Sequence, residues 1–95
     1  MPSRINFSLT QLEYALAVHK YGHFSQAAKA CAVTQPTLSM QIQKLEDELG
    51  VRIFDRNKHP IAITEMGELI VAQGRVALAE CERINEIIQT QQKAI

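Results

Sequence analysis

The sequence has 95 residues, of which 46% are apolar and 21% are charged, and its formal net charge is zero. This length allows one small domain with a thin core, and the composition excludes a disordered chain, while no apolar run approaches the roughly 18 residues of a transmembrane helix. The zero net charge at first argues against a nucleic-acid partner, because neutralisation of phosphates normally needs a surplus of Lys and Arg.

The charges are unevenly distributed along the chain. Residues 1–45 contain four basic residues and one acid, a balance of +3, whereas residues 46–68 contain three basic residues and six acids, a balance of −3. No acid occurs between Lys20 and Lys44. A surface built from that window could therefore meet a polyanion although the chain as a whole is neutral.

The N-terminal residues and the cysteines predict the compartment. The opening MPSRIN lacks the apolar core of a signal peptide, so we expect a cytoplasmic protein without membrane contact. Cys31 and Cys81 lie far apart and lack CxxC spacing, which favours two reduced, small apolar residues over a redox or metal role. We therefore expect no cofactor and no metal.

The first helix is predicted by apolar residues at intervals of three and four, namely Leu9, Leu12, Ala15 and Leu16. Ser8 or Thr10 supplies a start signal and Gly22 a stop, so the helix should have about a dozen residues. His19 and His23 have a spacing that can bind metal on a helix, but Gly22 is expected to end the helix between them, which argues against a metal site.

A short second helix follows. Ser25 is a suitable N-cap, and the helix is predicted from Gln26 to about Ala32. Phe24, just before that cap, is expected to pack against the helix as a staple residue. The small side chains within the helix allow close approach to its neighbours.

The third helix has the strongest boundary signals. Thr34 suits the N-cap, Pro36 is tolerated in the first turn because its missing N–H has no intrahelical partner there, and Gly50 supplies the stop. The helix is therefore predicted from Gln35 to Leu49. Its apolar stripe consists of Leu38, Ile42, Leu45 and Leu49. Its opposite face consists of Pro36, Thr37, Met40, Gln43 and Lys44.

The acidic run Glu46, Asp47 and Glu48 lies near the end of this third helix. We interpret it as a solvated face rather than as catalytic carboxylates, because no nucleophile, base and pocket converge around it, and the sequence predicts no enzyme. Only the first turns of the helix could then tolerate a phosphate backbone, and its N-terminus offers free N–H groups and a positive dipole.

Between Val51 and Thr64 the apolar period changes to alternation, which predicts a small two-stranded wing. Its tip is a basic turn of four residues, Asn57, Lys58, His59 and Pro60. From Thr64 the pattern is helical to near the end of the chain, so we expect two units, residues 1–63 and residues 64–95.

The last helix has an apolar seam at mixed spacings of three and four. The seam residues chosen for a dimer interface are Leu69, Ile70, Val76, Ala77, Cys81, Ile84 and Ile88. A helix of nearly thirty residues cannot bury such a seam within so small a domain, so an antiparallel second copy is the simplest partner. The sequence therefore predicts a homodimer.

These elements predict a mainly α fold: a winged helix-turn-helix with a three-helix core and a two-stranded wing, followed by a long dimerisation helix. In a helix-turn-helix the second helix lies in the major groove of DNA. The runs FSQAA, VTQPTLS, QI, LEDELGV, FDR and TEMG, from Phe24 to Gly67, closely resemble the LysR-type transcriptional regulators. The resemblance covers roughly residues 9 to 92.

The resemblance implies a bacterial transcription regulator that binds double-stranded DNA at an imperfect inverted repeat, with the helix starting near Gln35 in the major groove. Full-length members of the family continue into a regulatory domain, like a periplasmic binding protein, that senses a small molecule or a redox signal and is absent from these residues. Dimers that pair into tetramers and contact with RNA polymerase are further implied. The segments QPTLS and KLEDELG look most like the peroxide-responsive branch.

The site residues are carried over position by position. The base-contacting residues implied are Gln35, Pro36, Thr37, Ser39 and Met40. Gln can form two hydrogen bonds with adenine, and the apolar parts of Thr, Pro and Met can contact a thymine methyl. The residues implied to contact the DNA backbone, directly or from the wing, are Ser25, Gln26, Lys29, Thr34, Lys44, Arg56, Asn57, Lys58, His59 and Pro60.

One departure from the family pattern affects affinity. Many members have Arg at the positions of Met40 and Gln43, so we expect weaker non-specific affinity here and a stronger dependence on base or shape readout.

Two other interpretations stay open at this point. Ser25 and Thr34 would serve as caps in a protein that never met DNA, and the zero net charge and Met40 would suit a protein-interaction module of the same shape. Another regulator class, such as a molybdate-responsive repressor, could share this head. DNA affinity that falls steeply with salt would exclude the first, and residues beyond Ile95 would decide the second.

Overall fold

The computed structural model describes residues 4–93. Within that range the elements are α1 (Leu9–Tyr21), α2 (Phe24–Ala30), α3 (Gln35–Leu49), β1 (Phe54–Asp55), β2 (Ala62–Ile63) and α4 (Glu65–Lys93). The predicted fold is therefore confirmed: three helices and a two-stranded wing precede one long helix. None of the helices in the described range is long and apolar enough to cross a membrane.

The helix α1 begins at a reciprocal cap. The backbone N–H of Gln11 donates to the Ser8 hydroxyl, and the backbone N–H of Ser8 donates to the Gln11 side chain, at 3.1 and 3.0 Å. Both donors would otherwise lack a partner at a helix start. Gly22 ends the helix with φ 74°, in the left-handed region that a residue without Cβ adopts at little cost. Ser8 rather than Thr10 is thus the start signal.

The predicted bounds of α2 are wrong. The helix runs from Phe24 to Ala30, His23 is at the N-cap position, and Ser25 lies exposed in the first turn. Phe24 is a member of the helix and is buried at 8% exposure, with its ring edge-on to Phe54 at 6.4 Å between centroids. Burial of this large ring stabilises an early start more than a serine cap at the surface would.

The bounds of α3 are confirmed, with Thr34 at the N-cap and Gly50 at the C-cap. Leu38, Ile42 and Leu45 are fully buried, and Leu49 is half-buried. They join one core built from all four helices and the wing. Within the described residues, the buried side chains of this core are Leu12, Ala15, Val18, Phe24, Ala27, Ala28, Leu38, Ile42, Leu45, Ile53, Phe54 and Val71.

The wing is shorter than the alternation predicted. β1 and β2 pair antiparallel, with Phe54 opposite Ile63 and Asp55 opposite Ala62. Ile53 is buried just before the first strand. The backbone N–H of Ile61 donates to the carbonyl of Gly22 at 3.0 Å, which ties the base of the wing to the turn between α1 and α2.

The helix α4 belongs to the core in its first turns and leaves it afterwards. Val71 is 1% exposed, and Gly67 and Gly74 let the helix approach the backbone of Ile53 and the side chain of Leu16. Every residue from 82 to 92 is exposed. The first turns of α4 thus complete the core of the winged unit, and the second half of the helix projects from it.

Candidate nucleic-acid interface

The first turn of α3 is stabilised by its N-cap and exposes three of its side chains. The Thr34 hydroxyl accepts from the backbone N–H of Thr37 at 3.3 Å, and the two threonine hydroxyls are 2.8 Å apart. Gln35, Pro36 and Thr37 are exposed. Pro36 has no backbone N–H, so a partner that covers Pro36 leaves no donor of this residue without a hydrogen bond.

The predicted base-contacting residues lie on this surface, and all of them except Ser39 are exposed. Met40 is 48% exposed. Ser39 is half-buried, and its hydroxyl already accepts a hydrogen bond from Nη1 of Arg56 at 3.1 Å. The surface is uncharged, so it suits recognition by hydrogen bonds and apolar contacts rather than by net charge.

Arg56, predicted to neutralise a phosphate, has partners within the fold. Its guanidinium carbon lies 4.8 Å from the centre of the Phe24 ring, and Nη2 lies 3.5 Å from Oε1 of Glu46. The side chain is 31% exposed. The structure therefore holds this cation between α2, α3 and the wing instead of leaving it free at the surface.

Glu46 is a buried position that the sequence interpretation missed. It is 4% exposed, and Oε2 accepts from the backbone N–H groups of Ile53 and Phe54 at 2.8 and 3.3 Å. The interpretation of the acidic run as a solvated face is wrong for Glu46 and holds for the exposed Asp47 and Glu48. The missed signal is spacing: Glu46 follows the buried Ile42 by four residues, on the same side of the helix.

Five of the predicted contacts line one groove of about 330 Å³, among them Ser39 and Arg56, and three others come from different elements. Ser25 lines it from α2, Gln35 from the start of α3 and His59 from the wing. The groove lies where the starts of two helices and the wing come together. A ligand in contact with α3 would therefore meet these three side chains at the same time.

The other predicted backbone contacts are exposed: Gln26, Lys29, Thr34, Lys44, Asn57, Lys58 and Pro60. The turn of the wing is shaped by a hydrogen bond from the backbone N–H of Asn57 to Oδ1 of Asp55, at 3.1 Å. Such a bond stabilises a turn without using the lysine that follows it. Lys58 stays available at the tip.

His19 and His23 lie on different elements, so they do not share one helix as metal ligands of this spacing would. His23 lies at the start of α2, whereas Nδ1 of His19 is 3.2 Å from Nη2 of Arg75 on α4. Within residues 4–93 there is no group of three or more His, Cys, Asp or Glu side chains that could hold a metal ion. Burial, and to a smaller degree the charge of Glu13, raises the pKa of the Cys31 thiol, which disfavours its reactive thiolate form.

The predicted seam of α4 divides into two parts. Leu69, Val76, Ile84 and Ile88 are between 50 and 67% exposed. Ile70, Ala77 and Cys81 are half-buried and line an apolar groove of about 520 Å³ together with Ile5 and Phe7 of the N-terminal arm and with α1. The single chain thus leaves an apolar surface along α4 that its own residues do not bury completely.

Comparison with known proteins identifies the family of this chain. Residues 9–68 match the family model described as bacterial regulatory helix-turn-helix protein, lysR family. The chain is 43% identical over 86 residues to a hydrogen peroxide-inducible genes activator of Haemophilus influenzae, covering 90% of this chain and 29% of the relative. It thus spans less than a third of the length of that relative.

Solved structures of similar fold include two regulators that are longer than this chain. A full-length OxyR variant from Pseudomonas aeruginosa has a TM-score of 0.85 at 45% identity, covering 90% of this chain and 29% of that one. DarR of Vibrio fischeri in complex with DNA has a TM-score of 0.87 at 36% identity, covering 93% of this chain and 30% of that one. The winged unit and the long helix therefore recur together.

Proposed function

The chain belongs to the lysR family of bacterial regulatory helix-turn-helix proteins, and we propose that it is a sequence-specific DNA-binding transcription regulator that docks α3 in the major groove. The observation that supports this best is the first turn of α3. It presents Gln35, Pro36 and Thr37 outward on an uncharged surface while Leu38 is buried behind them. An α-helix with that division fits the major groove and can read base edges.

The backbone contacts in this proposal come from the flanks of α3. Lys29 of α2, Lys44 of α3 and Lys58 of the wing are exposed cations on the elements that border the first turn. Ser25, Gln26 and Thr34 add neutral donors near the same surface. Contacts with phosphate place a protein on the duplex, and contacts with bases then select the sequence.

Substitution of one residue from each class tests the proposal. Gln35→Ala should weaken binding to a selected site by about 1–3 kcal/mol and leave binding to random DNA nearly unchanged, because it removes a base contact. Lys44→Ala should weaken binding to both DNAs equally, because it removes a phosphate contact. The measurement is a titration of labelled DNA, either a site selected from a random library or mixed sequence, at several salt concentrations.

Wild-type affinity for DNA must fall steeply with salt for the proposal to stand. Glu48→Ala is the matched control, since Glu48 is exposed on α3 beyond the proposed contact surface. Equal losses on selected and random DNA for Gln35→Ala and Lys44→Ala would refute the division between base and backbone contacts. Absence of salt-dependent binding would favour the protein-interaction module.

We propose further that two copies pair through α4. The exposed seam of Val76, Ile84 and Ile88 continues along one side of the helix into the half-buried Ala77 and Cys81. A seam with spacings of three and four is complementary to an antiparallel copy of itself. Pairing would relate the two copies of α3 by a two-fold axis, and the two halves of an inverted repeat in DNA have the same symmetry.

Ile84→Glu should convert dimers into monomers, because it places an unpaired charge in the apolar seam. It should also weaken binding to an inverted repeat far more than binding to a single half-site. Gln89→Glu adds the same charge on the opposite side of α4, where Gln89 is exposed, and should change neither quantity. Sedimentation at several concentrations is the measurement, and a dimeric Ile84→Glu variant would contradict this interface.

The remaining expectations extend the proposal to the whole regulator. The similarity to a hydrogen peroxide-inducible genes activator favours a peroxide-responsive regulator, in which the signal is sensed outside these residues. The winged unit of residues 1–63 and the helix of residues 64–95 would then act through binding rather than catalysis. We expect this to take place in the cytoplasm, on the chromosome, with tetramer formation and contact to RNA polymerase in the longer protein.

A further inference from the structure

The contacts of Arg56 point to a role beyond charge neutralisation. Nη1 donates to the Ser39 hydroxyl on α3, Nη2 lies beside the Glu46 carboxylate, and the guanidinium carbon lies over the Phe24 ring of α2. Its Nε is buried and has no hydrogen-bond partner in the described part of the chain. One side chain of the wing therefore joins both helices of the helix-turn-helix.

The bond to Ser39 determines what that hydroxyl can still do. A serine hydroxyl has one hydrogen to donate and two lone pairs that accept. Arg56 can only donate, so it occupies one of the two lone pairs and leaves one lone pair and the O–H hydrogen. The charged donor polarises the hydroxyl, which makes donation of that hydrogen its stronger remaining interaction. Ser39 is half-buried beside the exposed first turn of α3, so part of its side chain stays accessible to a partner.

We propose that Arg56 is a positioning residue that holds Ser39 as a hydrogen-bond donor toward a base edge. The inference rests on the proposed DNA-binding function and deepens it by naming a preference. In the major groove guanine, adenine and thymine present acceptors, whereas cytosine presents an amino donor. Because donation is the stronger remaining interaction of Ser39, cytosine is the least favoured base at the position that Ser39 meets.

Glu46 and Phe24 keep Arg56 in place. The carboxylate of Glu46 is nearly fully buried and is itself held by two backbone N–H groups at the start of β1. The ring of Phe24 supports the guanidinium from one side. Lysine cannot reproduce this arrangement, because an ammonium lacks the planar fork that contacts two oxygens and stacks on a ring.

The test uses a site selected by the wild-type chain from a random library, with each base pair then varied in turn. Ser39→Ala should reduce discrimination against cytosine at one position per half-site by about fivefold, the usual effect of one net hydrogen bond. Arg56→Met, which retains an unbranched apolar stem, should reduce it at the same position by a similar factor. Arg56→Lys should behave like Arg56→Met although it keeps the positive charge.

The salt dependence separates positioning from a phosphate contact. Arg56→Met should leave the slope of log affinity against log salt unchanged, whereas loss of a phosphate contact lowers its magnitude by about 0.9 per contact. In the Ser39→Ala background Arg56→Met should have no further effect on base preference. Thermal unfolding is measured for each variant, and the binding assays are carried out at a temperature at which every variant is folded.

Three results would overturn the inference: a lowered slope for Arg56→Met, retained cytosine discrimination in Arg56→Lys, or an additional change of preference in the double variant. These three results can be measured only if the wild-type chain binds DNA with a steep salt dependence. A wild-type chain without such binding would instead refute the proposed function. The two failures are therefore distinguishable in the same set of titrations.

Discussion

Glu46→Ala is expected to lower the free energy of unfolding by about 3–5 kcal/mol, the usual effect of removing one partner from a buried, hydrogen-bonded charge pair. The substitution leaves the backbone N–H groups of Ile53 and Phe54 without their acceptor and removes the carboxylate beside Arg56. Each buried donor without a partner is unfavourable by about 1–3 kcal/mol. Denaturation with urea, followed by circular dichroism, measures the loss.

The matched control is Glu48→Ala, which removes the same charge from the same helix two residues later. Glu48 is exposed, so its loss should change the unfolding free energy by less than about 0.5 kcal/mol. If Glu46→Ala does not fold, Glu46→Gln provides the measurement, because its amide oxygen still accepts from the backbone. Equal stability of the Glu46→Ala and Glu48→Ala variants would contradict the role assigned to Glu46.

Gly67→Ala is expected to destabilise the chain by about 2–3 kcal/mol, although alanine is the better helix former. A Cβ at Gly67 would overlap the backbone carbonyl oxygen of Ile53 and lie 2.8 Å from Cγ1 of Ile63. A backbone atom cannot move aside as a flexible side chain does. The start of α4 would therefore have to separate from the base of the wing, and thermal unfolding would show the loss.

Gly74→Ala is the control for this prediction, since both glycines are buried within α4. A Cβ at Gly74 would meet Cδ1 of Leu16 at 3.2 Å, the end of a side chain that can adjust by a few tenths of an ångström. Its melting temperature should stay close to that of the wild type, because the gain in helix propensity offsets the crowding. A Gly67→Ala variant as stable as Gly74→Ala would show that the wing and α4 are not in close contact.

Spacing in the sequence identified the elements wherever local chemistry decides them. The bounds of α3 follow from a cap at Thr34, a proline tolerated in the first turn and a stop at Gly50, all of which act within a few residues. The start of α2 could not be predicted in this way. It depends on the burial of Phe24 against Phe54, a contact between residues 30 positions apart.

The same division applies to the candidate site. The outward position of Pro36, Thr37 and Met40 could be predicted from the helical period. Gln35 lies on the side of Ile42 and is exposed because it is the first residue of the helix. The roles of Arg56 and Glu46 could not be predicted in this way. Both look like ordinary surface charges in the sequence, and only the return of the wing over α3 places them together.

By itself, the sequence determined the four helices, the wing, the face of α3 that turns away from the core and the family to which the chain belongs. Its information is local, since caps, stops and periodicity act over a few residues. The tertiary structure alone decided which charge is buried, which serine is held and which glycine must lack a side chain. Those properties depend on atoms brought together by folding, and no spacing along the chain encodes a distance between Arg56, Ser39 and Glu46.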